Sequence, residues 1–138
     1  MKKAILVAGA TGNLGNRISR ELIKRGADVR AIVRTSTDRE KIETLEKMGV
    51  KVMEVDMDSV DDIAKASIGV HCVVSILAGL GEVIVDLQKR ILDGAIQAGV
   101  LRFIPSNFSC DYNDLVPGEN RNFDLRRDFK TYFRQHFH

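Results

Sequence analysis

Gly9, Gly12 and Gly15 are each separated by two residues within Gly9-Ala10-Thr11-Gly12-Asn13-Leu14-Gly15, directly after an apolar run and directly before a helical pattern. Glycine at these spacings lets the chain turn sharply at a strand end and brings its backbone close to a ligand. The helix that follows aims unpaired N–H groups at the same spot. The chemistry of such a segment is anion binding, and the strand-turn-helix layout points to the pyrophosphate of a dinucleotide. A tight turn without a ligand is the other reading that these residues allow.

The segment needs a scaffold, and the rest of the chain supplies one. Apolar runs at 4–8, 29–33, 50–55, 70–77 and 101–104 read as five strands, separated by amphipathic patterns that end in glycine. Leu14, Ile18, Leu22 and Ile23 form the apolar stripe of the first helix, which Gly26 stops. Thr37 and Glu40 have capping-box spacing for a helix carrying Ile42, Leu45 and Met48, closed by Gly49. Ser59 opens a short helix that Gly69 ends, and a longer helix runs from about 82 to 98 before Gly99. Pro105 cuts the fifth strand where a loop should open. Right-handed crossovers then predict an α/β, Rossmann-like three-layer fold, with a parallel sheet in the order 3-2-1-4-5 and helices on both faces.

In such a sheet a ligand lies where the strand order reverses, outside the carboxyl ends of strands one and four. The glycine segment belongs there. So does Ser75-Ile76-Leu77-Ala78-Gly79, where Leu77, Ala78 and Gly79 would let a nicotinamide ribose lie against the backbone, although a plain buried strand end explains them as well. The end of strand two faces the adenosine ribose, and an acid there would mark NAD. This chain has Arg34, whose planar donors suit a 2′-phosphate and favour NADP over NAD, with Thr35, Ser36 and Arg39 or Lys41 as helpers. Asp56, after strand three, either accepts from the adenine amino group or begins the turn before Ser59.

Composition bounds the alternatives. A chain of 138 residues suffices for one domain with a genuine core, and 44% hydrophobic with 29% charged residues is ordinary for a globular protein. No apolar run approaches the roughly 20 residues needed to cross a bilayer, and the N-terminus lacks a signal-peptide pattern, so no membrane association and a cytoplasmic location are expected. A net charge of +2 is too mild for a nucleic-acid partner. Cys72 and Cys110 are far apart without a CxxC pattern, which predicts two reduced thiols and no metal site. Ser106 is no nucleophile, because His71, His136 and His138 do not accompany it.

Val7-Ala8-Gly9-Ala10-Thr11-Gly12-Asn13-Leu14-Gly15, Ala31-Ile32-Val33-Arg34 and Arg102-Phe103-Ile104-Pro105-Ser106-Asn107-Phe108-Ser109 occur in this order. With them the chain resembles the NmrA-like, isoflavone-reductase-like branch of the atypical short-chain dehydrogenases over essentially its whole length. The resemblance implies an NAD(P)-binding Rossmann domain over 1–138. In catalytic members it implies a reductase that delivers hydride to small aromatic or enone-like substrates. Other members resemble redox sensors that bind the nucleotide and regulate a protein partner. Ser106 would hydrogen-bond cofactor or a substrate carbonyl, and Asn107 stands where relatives often have an acid.

Two departures from the family pattern bear on catalysis. Tyr112 is followed by Val116 and Tyr132 by His136, so neither makes a Tyr-x-x-x-Lys pair. Reductases of this branch are similar in having a lysine on the helix after strand five. Alignment through Phe123 puts Arg126 there, suited to holding a ribose or phosphate but a poor proton donor, with Lys130 one turn later as the fallback acid. Arg126, Arg127, Lys130 and Arg134 also read as a solvated helix face. Family members run to roughly twice this length under the usual domain layout, so the substrate region is expected to be lacking. An aromatic stripe at Phe129, Tyr132 and Phe133, or the edge of strand five, is then expected to support a homo-oligomer. The 111–120 segment reads either as a lid or as a surface connection. Three functions stay open: an NADP-dependent reductase, a non-catalytic nucleotide-sensing module, and a truncated inactive remnant.

Overall fold

The computed structural model describes residues 3–77, 82–105 and 134. Five parallel strands, β1 (Ala4–Ala8), β2 (Asp28–Arg34), β3 (Lys51–Val55), β4 (Cys72–Ser75) and β5 (Arg102–Ile104), form one sheet in the order β3-β2-β1-β4-β5. Helices α1 (Asn13–Lys24), α2 (Arg39–Lys47), α3 (Val60–Ala66) and α4 (Gln88–Gln97) connect them. The order reverses between β1 and β4, which pair with Ala8 opposite Ser75.

Alternation along the strands divides the core in two, since successive side chains point to opposite faces. On the α3/α4 face, Leu6, Ile32, Val73 and Phe103 pack with Ile63, Ile91, Leu92 and Ala95. On the other face, Val7, Val29, Ala31, Leu45 and Val50 pack together, with Leu22 and Ile23 of α1 against them. Burying each of the larger side chains stabilises the fold by about 1.5–3 kcal/mol.

Each of the four glycine stops read from the sequence follows the helix it ends. Ser59 caps α3 as expected, its Oγ accepting from the Asp62 N–H at 3.2 Å. Strand four is shorter than the 70–77 run in its ladder. Even so, its hydrogen bonding continues outward, with the His71 N–H donating to Ala4 O and the Ile76 N–H to Ala8 O, both at 2.8 Å.

Two expectations need correction, one of them in part. The Thr37–Glu40 capping box does not form: the Thr37 N–H closes a turn on Arg34 O at 3.0 Å, and Asp38 becomes the N-cap with no side-chain cap bond. The helix therefore starts one residue late, and its third position is Lys41, which cannot reciprocate as Glu40 would. The stripe of α1 holds only in part, through Leu22 and Ile23. Leu14 is 46% exposed, Ile18, Leu22 and Ile23 are half-buried, and the buried residues are Gly15 and Ser19, because the helix docks through its smallest side chains. The long helix before Gly99 has the expected extent, with a π-helical turn over Glu82–Leu87 followed by α-helix over Gln88–Gln97.

Candidate functional site

Gly9 ends β1 with φ +90°, a backbone region that side chains rarely adopt, and a Cβ there would overlap the Ile76 carbonyl oxygen. Gly15, in the first turn of α1, lies so close that a Cβ would overlap Gly9 O and stand 2.8 Å from Ala10 Cα. The turn is thus closed on one side by β4 and on the other by its own helix. The Gly12 N–H donates to Gly9 O at 3.3 Å, and the Ser19 hydroxyl donates to Gly15 O at 2.8 Å, which fixes the first turn from below. A Cβ on Gly12, by contrast, would meet only Gly9 O at 3.7 Å, so the outer side of the turn is open.

What α1 lacks at its start is equally informative. Gly12 is its N-cap, no side chain caps it, and no acid lies in its first turn. Helix α3 has both devices, the Ser59 hydroxyl and the carboxylates of Asp61 and Asp62. The first N–H groups of any helix have no partner within it and carry the positive end of its dipole. In α1 that end is presented by Asn13 and Leu14, both exposed, beside the exposed Gly12, whose own N–H is taken by Gly9 O, and the half-buried Thr11. Ala10 is buried in the α1/α2 core and contributes only backbone.

One strand away, the carboxyl ends of β2 and β3 open into a cavity of about 420 Å³. Arg34, Thr35 and Ser36 line it from β2, Asp56 and Asp58 from β3, and Leu87 and Arg90 from the helix before β5. Arg34 is exposed, and no ion pair among the described residues engages it. Asp56 begins the turn into α3, since its Oδ1 accepts from the Asp58 N–H at 3.0 Å and Ser59 N–H donates to its carbonyl at 3.0 Å. It faces the cavity as well, so turn and lining coexist. Leu77 is half-buried against the α3/α4 core.

Ala78, Gly79, Ser106, Asn107, Arg126 and Lys130 lie outside the described residues, as do the 111–120 segment and the aromatic stripe. Arg134 is helical and exposed. Cys72 is a buried free thiol, pushed above its ordinary value by burial, with the Arg102 charge pulling the other way. A raised thiol is a poor nucleophile. Among the described residues no helix is long and apolar enough to cross a membrane.

The cavity residues that the sequence reading missed are Met57 and Asp58, beside the expected Asp56, and Leu87 and Arg90 from the helix before β5. The helix row of Leu87 and Arg90 continues through Gly94, whose Cβ would stand 2.6 Å from Ile63 Cγ2, to Gln97, whose Nε2 donates to Asp61 Oδ1 at 3.1 Å. An arginine one turn before a glycine, beside the buried Gln88 and Ile91, was the available signal that this row meets another element.

The reversed strand order with a glycine turn at the reversal defines a doubly wound domain of the Rossmann class. The chain belongs to the NmrA-like family, whose model matches residues 1–135. It is 30% identical over 129 residues to the probable pinoresinol-lariciresinol reductase 3 of Arabidopsis thaliana, which takes in 93% of this chain and 40% of that protein. A solved structure of AtPrR2 with NADP+ and (+)pinoresinol matches with a TM-score of 0.85 and 25% identity, over 98% of this chain and 47% of that one. A crystal structure of isoflavone reductase matches at 0.81 and 26%, over 98% and 46%. The chain therefore spans less than half the length of these relatives.

Proposed function

We propose that residues 1–138 are the NAD(P)(H)-binding part of an NmrA-like reductase, with a preference for NADP. The observation that carries this reading is the turn at Gly9–Gly15, closed against any side chain within and left uncapped without. Gly9, Ala10, Thr11, Gly12, Asn13, Leu14 and Gly15 would hold the pyrophosphate through backbone N–H groups. The adenosine end would enter the cavity beside Asp56, and Arg34 would meet the 2′-phosphate with paired donors. The nicotinamide end would run toward Leu77, Ala78 and Gly79, with Ser106 and Asn107 beyond. Bound there, a nicotinamide cofactor supplies hydride. Arg126 would hold the ribose or phosphate, and Lys130 would donate the proton to a small aromatic or enone-like substrate. The structure of AtPrR2 with NADP+ and (+)pinoresinol supports the aromatic part of that substrate class.

Titration of NADPH and NADH separately, followed by cofactor fluorescence, tests the proposal. Arg34→Ala is expected to weaken NADPH by roughly tenfold to hundredfold and to spare NADH, since a hydrogen bond to a charged group contributes about 1.5–3 kcal/mol. Equal weakening of both would remove Arg34 from the phosphate site. Arginine rather than lysine at 126 favours a second reading, nucleotide sensing without turnover. NADPH oxidation in the presence of an enone separates the two.

A further inference from the structure

Arg90 stands at the start of α4 with a quarter of its side chain exposed. Its Nε donates to the Met57 carbonyl at 2.8 Å, and its Nη2 lies 3.5 Å from Asp58 Oδ1. The Asp58 side chain is 84% exposed and makes no other ion pair among those of the described residues. Asp58, Asp56, Arg34 and Arg90 line one cavity. Without Arg90 that lining would set a single cation against two carboxylates, and a phosphate entering it would be repelled. With Arg90 the charges are matched. The arrangement uses the guanidinium fork, one edge on a backbone carbonyl and one on a carboxylate, which the point charge of a lysine does not reproduce.

We infer that Arg90 is a specificity-determining residue for the phosphorylated dinucleotide: by holding Asp58 in an ion pair it lets the cavity accept a phosphomonoester beside Arg34. The inference rests on the dinucleotide reading above. Arg90 acts here as a positioning residue, since it works through Asp58 and the 57–58 backbone rather than through the reacting atoms. A merely structural tie between α4 and the loop after β3 would affect both nucleotides alike, because they share the adenosine that the cavity would enclose.

NADPH and NADH titrations of the wild type, Arg90→Met, Asp58→Asn and the double variant test this. Arg90→Met is expected to weaken NADPH about tenfold, the scale of one charge acting across several ångströms of half-solvated protein, and to leave NADH nearly unchanged. Asp58→Asn should tighten NADPH severalfold, and the double variant should recover most of the affinity that Arg90→Met loses. Equal loss for both nucleotides in Arg90→Met, or no recovery in the double variant, overturns the inference. Should Arg90→Met fail to fold, Asp58→Asn decides alone, because its side chain is on the surface: an unchanged NADPH to NADH ratio overturns the inference. A wild type that binds neither nucleotide overturns the dinucleotide reading and this inference together. A wild type that binds them with Arg90 making no difference to their ratio overturns the inference only.

Discussion

Gly9→Ala is expected to abolish dinucleotide binding and to destabilise the fold at the same time. The left-handed backbone at φ +90° costs a side-chain-bearing residue about 1–2 kcal/mol. The added methyl would overlap the Ile76 carbonyl, which the ladder holds in place through the Ile76 N–H to Ala8 O bond of 2.8 Å. The methyl cannot be accommodated by a side-chain rotation, because the obstacle is backbone. Either β1 and β4 separate at their carboxyl ends or the turn opens, and each outcome disperses the N–H groups at the start of α1. Thermal unfolding should fall by several degrees, as about 1 kcal/mol shifts a domain of this size by some 2–8 °C. An NADPH titration on the folded variant should show no saturation. Wild-type affinity in Gly9→Ala would mean that the turn is not the binding element.

Gly94→Val should have an effect of similar size on stability, through a different contact. A Cβ at this position stands 2.6 Å from Ile63 Cγ2, 3.0 Å from Ile63 Cβ and 3.1 Å from the Ala64 nitrogen, so α3 and α4 approach too closely for any substituent. Overpacking of this kind costs about 1–3 kcal/mol, read as a lowered midpoint in urea with an unchanged slope. Gly94→Ala combined with Ile63→Ala should be less destabilised than the sum of the single changes, because the second removes the group that the first strikes. Simple additivity would show that the two helices do not meet at these residues. Arg90 lies on the same row of α4, so a forced separation here should also loosen the wall of the cavity that it lines.

Much of the sheet was legible because its signals are local. Five apolar runs, glycine stops at Gly26, Gly49, Gly69 and Gly99, and the handedness of crossovers suffice for the order 3-2-1-4-5. The capping box failed because Thr37 belongs to a turn closed on Arg34, and a four-residue pattern does not reveal which turn its first amide has already joined. The α1 stripe held only at its C-terminal end, where Leu22 and Ile23 pack on the core, because apolar periodicity locates large side chains, whereas the buried residues of this helix are Gly15 and Ser19. For the candidate site the contrast is similar. Arg34 ends β2 and Asp56 directly follows β3, so both could be placed from sequence at the cavity. Arg90 comes from a helix that follows β4, and only the approach of α4 to the loop after β3 brings it to the same space. It also follows a π-helical turn over Glu82–Leu87, whose wider winding an α-helical periodicity does not reveal.

The three glycines of the opening motif stand under different steric constraints. Gly9 and Gly15 are held by backbone atoms of the protein itself, while Gly12 faces open space on all but one side. A randomised library at position 12 screened only for expression should therefore accept several small residues, and one sorted for retention on immobilised nucleotide should return glycine. The first and third glycines thus answer to the scaffold, and under the proposed function the middle one would answer to the guest.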